Sequence, residues 1–271
     1  MTGVRTAIVV LAGVVVALLG WSWLGGGDDG SDDATGGDVS ADDDGRPAGT
    51  VTVLAAASLT ESFTQISDEL ARSHPEIEIV LSFGPSSQLV EQVLAGAPVD
   101  VLATADMATM AKAADAGVLD GEATVFAANT PALVVPAGNP GGVAGLSDLE
   151  REDLRVAVCE PHVPCGAAAE RLTTLAGVEP VPDTLATDVK EALALVTLGE
   201  VDVALVFHTD AVSAGEAVEV VPVEEAESVV NDYPVAVLER ARQPAAARAV
   251  VEAVTGEIGR RVLTESGFLV P

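Results

Sequence analysis

The chain has 271 residues, of which 49% are hydrophobic and 3% aromatic, so it can fill an aliphatic core in one or two lobes. Its 42 acidic and 13 basic residues give a net charge of −29. This excess of acid argues against nucleic-acid binding, which depends on lysine and arginine patches that contact phosphates. It also opposes the long-range attraction of an anion, although short-range donors can still bind one because salt screens distant charges.

The first predicted element is an uncharged apolar stretch within residues 1–24 that is long enough to span a bilayer, with Arg5 before it. It is either an uncleaved signal-anchor or a cleaved signal peptide, and no convincing small-residue cleavage motif follows it. Residues 25–49 are almost entirely Gly, Asp, Ser and Ala, a composition that predicts a disordered acidic tether. Residues 1–49 hold eight aspartates and two arginines, which leaves a net charge of −23 on the remainder.

From Thr50 onward, short β-type runs alternate with amphipathic helical stretches. Strands are predicted at residues 51–54, 77–81, 99–102, 124–128, 132–136, 155–158, 201–207, 218–221 and 233–238. Helices are predicted at residues 59–72, 86–95, 106–116, 166–176, 188–198, 209–214, 244–254 and 256–266. This alternation predicts an α/β protein with largely parallel sheets, in which ligands bind beyond the carboxyl ends of the strands.

Small polar residues stand where predicted strands give way to helices. Ser58 closely follows the first strand, Ser86 and Ser87 open the second helix, and Cys165 precedes a later one. A helix start offers unpaired backbone N–H groups and the positive end of the helix dipole, which together favour anions. For Ser58 the simpler interpretation is an ordinary N-cap. Three such helix starts predict a protein that surrounds an oxyanion with neutral donors.

Five segments stand in order along the chain: Ala55-Ala56-Ala57-Ser58-Leu59-Thr60, Gly96-Ala97-Pro98-Val99-Asp100, Val163-Pro164-Cys165-Gly166, residues 188–196, and Tyr233-Pro234-Val235-Ala236-Val237. Together they resemble periplasmic molybdate-binding proteins, the substrate receptors of molybdate ABC transporters. The resemblance spans residues 51–268 and implies the two-lobed fold of type II solute-binding proteins. Each lobe would be a mostly parallel sheet flanked by helices, with the ligand in the cleft between lobes. Lobe I would comprise residues 50–130 and 234–271, and lobe II residues 131–233.

The resemblance also implies the contacts to molybdate. Ser58 and Ser86 would each give a hydroxyl and a backbone N–H, with Ser87 as an alternative to Ser86. Cys165 and Val189 would give backbone N–H groups only. Molybdate has four acceptor oxygens and no proton at neutral pH, so a site made of donors alone can hold it, whereas phosphate still carries a proton that needs an acceptor. Sulfate differs chiefly in being smaller.

One position departs from the family pattern. Phe207 stands where the family often has a tyrosine whose phenol would donate to the oxyanion, and phenylalanine cannot donate. The loss of one charge-assisted hydrogen bond costs about 1.5–3 kcal/mol if nothing replaces it. His208, Thr209 or a water molecule are the candidates to take its place.

The two cysteines, Cys159 and Cys165, lie six residues apart. In an extracytoplasmic protein this spacing predicts a disulfide, which would fix the backbone that presents the Cys165 N–H. Free thiols, or a metal site that includes His162, are the alternatives, although the spacing matches no common zinc pattern. Molybdenum is expected only as part of the bound oxyanion, and no other metal and no cofactor are expected.

The sequence therefore predicts a monomeric extracytoplasmic receptor that captures molybdate, and also tungstate, and delivers it to an ABC permease. An N-terminal transmembrane segment would tether it, or signal cleavage would release it. The main alternative is a receptor for sulfate or another small oxyanion. No nucleophile elbow, phosphate loop or His-Glu-Xaa-Xaa-His motif occurs in the sequence, so an enzyme is not expected. A hydrolase using Ser58 or Ser86, or a membrane-tethered sensor, are further alternatives.

Overall fold

The computed structural model describes residues 46–271. The predicted signal-anchor or signal peptide at residues 1–24, and all but the last four residues of the predicted tether, lie outside this range. Within it, no helix has both the length and the apolar character needed to cross a membrane.

The described part contains ten strands and eight α-helices. The strands are β1 Gly49–Ala56, β2 Ile77–Gly84, β3 Val101–Ala103, β4 Thr124–Asn129, β5 Pro131–Pro136, β6 Val156–Cys159, β7 Thr184–Ala186, β8 Val203–Phe207, β9 Val218–Val221 and β10 Asn231–Val237. The helices are α1 Thr60–Ser73, α2 Ser86–Leu94, α3 Met107–Asp115, α4 Pro164–Ala176, α5 Val189–Thr197, α6 His208–Ala214, α7 Pro244–Thr255 and α8 Glu257–Glu265. Short 3₁₀ helices occur at Ala57–Leu59, Leu146–Glu150, Gly215–Ala217 and Glu224–Ser228.

The strands form two five-stranded sheets, ordered β2-β1-β3-β10-β4 and β7-β6-β8-β5-β9. In each sheet four strands run in one direction and one runs against them, β10 in the first and β5 in the second. Each reversed strand is the first strand after the chain crosses from one sheet to the other. The predicted α/β fold with mostly parallel sheets is confirmed, with this reversal as a refinement.

The predicted boundary between residues 233 and 234 falls inside β10. That strand pairs with β4 from Asn231 onward and with β3 as far as Val237, so it lies entirely in the first sheet. The outward crossing is at Thr130, between β4 and β5. We therefore propose lobe I as residues 49–130 and 231–271, and lobe II as residues 131–230.

Aromatic side chains join the two lobes although they are scarce in the chain. Tyr233 is fully buried, and its ring makes edge contacts with three phenylalanines at centroid distances of 6.5 Å to Phe126, 6.0 Å to Phe207 and 5.3 Å to Phe268. Phe207 ends β8 of lobe II, and the other three residues belong to lobe I. Edge-to-face pairs of this kind contribute about 0.5–1.5 kcal/mol each beyond their burial, so this cluster helps to hold the lobes together.

Candidate functional site

A small cavity lies between the lobes, with about 240 Å³ of atom-free space that includes its opening to solvent. It is lined by Ala56, Ala57, Ser58, Gly84, Pro85, Ser86 and Ala105 from lobe I, and by Val163, Pro164, Cys165, Asp188, Val189 and Phe207 from lobe II. The four residues predicted to contact the ligand, Ser58, Ser86, Cys165 and Val189, thus line one cavity. Two come from each lobe.

Ser58 lies in the 3₁₀ turn between β1 and α1. The N-cap residue of α1 is Leu59, and no side chain caps either helix start. The interpretation of Ser58 as an ordinary N-cap is therefore wrong. Its buried Oγ instead lies 3.0 Å from the hydroxyl oxygen of Tyr233.

Ser86 is the first residue of α2 and is 1% exposed. Its Oγ accepts a hydrogen bond of 3.1 Å from the backbone N–H of Ala105, so its own proton remains available for another acceptor. Ser87 is also buried but does not line the cavity, and its Oγ has no hydrogen-bond partner within residues 46–271. The geometry favours Ser86 over Ser87 as the residue that faces a ligand.

The start of α4 presents Cys165. Pro164 is the first helical residue, a position that suits proline because its fixed φ fits and an N–H there has no helical partner. Cys165 forms a disulfide with Cys159, the last residue of β6, with 5.7 Å between their Cα atoms. A Cβ on Gly166 would lie 1.9 Å from the carbonyl oxygen of Glu160, so only glycine permits this close packing of the loop on the helix. The predicted disulfide is confirmed.

Val189 is the first residue of α5. The Asp188 carboxylate caps this helix by accepting from the N–H groups of Lys190 at 2.8 Å and Glu191 at 2.9 Å. The cap does not involve the Val189 N–H, and the Val189 side chain is buried. Asp188 is the one ionisable residue among those lining the cavity, and its Oδ1 accepts both capping hydrogen bonds.

The structure separates Phe207 from its predicted substitutes. Phe207 lines the cavity but presents a ring without a donor. His208 is exposed and lines a different groove beside the crossings, and its backbone N–H donates to Thr130 O at 2.8 Å. Thr209 is buried outside the cavity, where its Oγ1 accepts from Asn129 Nδ2 at 2.8 Å. Neither residue replaces the missing phenol at this cavity.

Sequence reasoning missed a charged cluster next to the site. Lys190 of α5 lies 2.9 Å from Glu61 of α1 in the other lobe and 3.0 Å from Asp210 of α6. Burial raises the pKa of the Asp210 carboxyl to about 6, even though the positive charge of Lys190 acts in the opposite direction. Burial lowers the pKa of Lys190, but the charge of Asp210 and the hydrogen bond to Glu61 outweigh it, so this pKa is raised overall.

The cavity therefore offers hydroxyl and amide donors at helix starts, and its lining contains no lysine, arginine or histidine. Such a site suits a small anion that carries only acceptors. Within the described residues no cluster of three or more His, Cys, Asp or Glu side chains could hold a metal ion.

Two lobes joined by two crossings, with donors from both lining one cavity between them, define a binding protein for a small solute. The chain belongs to the family of bacterial extracellular solute-binding proteins, whose sequence model matches residues 51–269. It is 42% identical over 224 residues to the molybdate-binding protein ModA of Mycobacterium tuberculosis strain H37Rv, which covers 83% of this chain and 86% of that protein. The predicted family is confirmed.

Two solved structures share the fold. The periplasmic molybdate-binding protein of Azotobacter vinelandii superposes with a TM-score of 0.70 at 20% identity, covering 82% of this chain and 99% of that one. The sulfate-binding protein SubI of M. tuberculosis H37Rv gives 0.67 at 18% identity, with coverages of 81% and 86%. At these identities the two structures support the fold alone.

Proposed function

We propose that this protein captures molybdate, and the chemically similar tungstate, in the cavity between its lobes and delivers the anion to an ABC permease. The observation that carries the proposal is that Ser58, Ser86, Cys165 and Val189, which lie far apart in the sequence, line one cavity with hydroxyl and amide donors. The 42% identity to a protein named for molybdate binding supports molybdate over sulfate.

Binding would replace the hydration shell of the anion by protein donors. Hydroxyls of Ser58 and Ser86 and amides of Cys165 and Val189 would donate to its oxygens, each charge-assisted bond contributing about 1.5–3 kcal/mol. The first turns of α2, α4 and α5 add the positive ends of their dipoles. Because the donors come from both lobes, the ligand stabilises the closed arrangement over an open one.

The protein would act on the outer side of the cytoplasmic membrane, as its family does, with residues 1–24 as a tether or as a cleaved signal. We expect a monomer without cofactor, nucleic-acid binding or catalysis. The relatives are solute-binding proteins, which supports the absence of catalysis. A hydrolase would need a base beside Ser58 or Ser86, and no histidine is among the residues lining the cavity.

Calorimetric titration with molybdate, tungstate, sulfate and phosphate tests the proposal. Molybdate and tungstate should bind at least about 100-fold more tightly than sulfate, a difference of roughly 2.7 kcal/mol. Sulfate binding as tight as molybdate binding would establish the sulfate-receptor alternative, and no heat with any of the four anions would refute oxyanion capture.

A further inference from the structure

Tyr233 contacts Ser58, a residue of the candidate site, without lining the cavity itself. It is the only tyrosine in the sequence, and it is fully buried on β10. Its hydroxyl oxygen lies 3.0 Å from Ser58 Oγ, although the two residues are 175 positions apart. Each hydroxyl carries one proton, so either oxygen could be the donor of this hydrogen bond. The other contacts of Tyr233 decide which one donates.

Asn129 determines that direction. Its Oδ1 accepts from the Thr130 N–H at 3.0 Å, which fixes the orientation of the amide. Its Nδ2 therefore faces the Tyr233 hydroxyl at 3.4 Å and Thr209 Oγ1 at 2.8 Å, and an amide nitrogen can only donate. Because the Tyr233 oxygen accepts from Asn129, the Tyr233 proton is free to be donated to Ser58.

Burial raises the pKa of the Tyr233 phenol, so this proton is retained at neutral pH. Ser58 then accepts through its oxygen and keeps its own proton for the cavity. Hydrogen bonds in such a chain polarise one another in the same sense, which strengthens the last donor.

Ser86 has the same arrangement by a different route. Its Oγ accepts from the Ala105 N–H, and the Ala105 carbonyl in turn accepts from Asn231 Nδ2 at 3.1 Å. Asn231, like Tyr233, belongs to β10. Both serines that face the cavity thus have one lone pair occupied by a protein donor, which leaves their protons for a ligand.

We propose that Tyr233 is a positioning residue for anion binding, whose hydroxyl donates to Ser58 Oγ and so turns the Ser58 proton toward the cavity. This inference rests on the proposed function and deepens it, because protons turned toward the cavity favour an oxyanion that carries no proton of its own. The Asn129 amide, at the crossing between the lobes, holds Tyr233 in this role.

A double-mutant cycle with molybdate as the titrated ligand tests the proposal. Tyr233→Phe removes the hydroxyl and keeps the ring, so binding should weaken about three- to tenfold, the range expected for one hydrogen bond. In a Ser58→Ala background the same change should have almost no further effect on the dissociation constant, because the group that Tyr233 orients is absent. A purely structural role would weaken binding by the same factor in both backgrounds.

Thr173→Val is the matched control, since it removes another buried hydroxyl, one that bonds to Ala169 O within α4. Its molybdate affinity should equal that of wild type. Unchanged affinity in Tyr233→Phe, or equal factors in the two backgrounds, would overturn the positioning role while wild-type binding still supported the proposed function. Absence of molybdate binding by wild type would overturn both.

A second measurement leaves Tyr233 in place. Because the chain has one tyrosine, labelling with 3-fluorotyrosine gives one fluorine resonance. That resonance should shift on addition of molybdate, and the shift should be smaller in Ser58→Ala under saturating ligand. If the chemical shift of this resonance in the wild-type protein does not change when molybdate is added, the proposal is overturned, even if Tyr233→Phe does not fold.

Discussion

The ion pair between Glu61 and Lys190 joins the lobes beside the cavity, so Glu61→Gln should weaken ligand binding without touching the ligand. Both carboxylate oxygens of Glu61 lie 2.9 Å from Lys190 Nζ. The side chain of Glu61 is 52% exposed, which places the pair among solvent-screened ion pairs that contribute about 0.2–1 kcal/mol. An open form lacks this contact, so its removal shifts the closure equilibrium by that amount and lowers affinity by up to about fivefold.

Glu69→Gln is the matched control. Glu69 lies on the same helix, and its replacement by Gln also removes one negative charge. It pairs with Arg261 of α8, however, which is in the same lobe. The loss of one negative charge by itself should strengthen the binding of an anion, and both substitutions share this effect. Weaker binding by Glu61→Gln would therefore come from the lost contact between the lobes and not from the change in charge. Molybdate titrations at about 50 mM and 300 mM salt should show weaker binding only for Glu61→Gln, and less so at high salt. Equal affinities of the two variants would refute the closure argument.

Three further predictions concern Phe207, the disulfide and Asp210. Phe207→Tyr adds a donor at the cavity wall, so molybdate titration should show equal or tighter binding, and a marked loss would mean that a phenol at this position disturbs the cavity instead of donating to the anion. Replacing Cys159 and Cys165 with serine should lower the free energy of unfolding by about 2 kcal/mol in denaturant titrations, because the short loop is no longer closed; unchanged stability would contradict this. The folded pKa of Asp210 is raised to about 6 by burial, so the folded state binds a proton more readily than the unfolded state. Between pH 7 and pH 5 the free energy of unfolding of wild type should therefore rise by about 1 kcal/mol relative to that of Asp210→Asn, and this gain is lost again as the pH rises through that pKa. Melting curves of the two variants check the sign, and a relative loss by wild type on acidification would show that the pKa is lowered.

The order of elements could be predicted because its signals are local. Every predicted strand and helix is present, with ends displaced by at most three residues. The strand β7 was missed because it has three residues and an exposed Leu185, so nothing but its pairing with β6 marks it as a strand. The reversal of β5 and β10 was also invisible, since strand direction is decided by the path of the crossings and not by local pattern. Because β10 pairs with β3 and β4, we propose lobe I for Tyr233, whereas the boundary predicted from the sequence assigns it to lobe II.

The candidate site also combines features that have a local sequence signal with contacts that have none. Ser86, Pro164 and the cap at Asp188 stand at helix starts, whose residue preferences are visible in the sequence. The contacts that orient or join these starts are long-range: 175 residues separate Ser58 from Tyr233, and 129 separate Glu61 from Lys190. A lone tyrosine in an aliphatic chain, followed by proline, was the available signal for the first of these. No comparable signal existed for the second.

The acidity of the chain and a site for a dianion are compatible because the site does not depend on net charge. Lys190, which follows Val189 in α5, is already paired with Glu61 and the buried Asp210, and no lysine, arginine or histidine lines the cavity, so little positive charge remains there to attract an anion from a distance. Stabilisation must then come from oriented hydroxyl and amide dipoles, which are strong only where water is excluded. The same exclusion penalises any anion oxygen left without a donor, and any ligand proton left without an acceptor. Affinity and selectivity therefore both arise on closure, when the lobes bring their donors together around the ligand, and the acidic surface affects chiefly the rate at which the anion arrives.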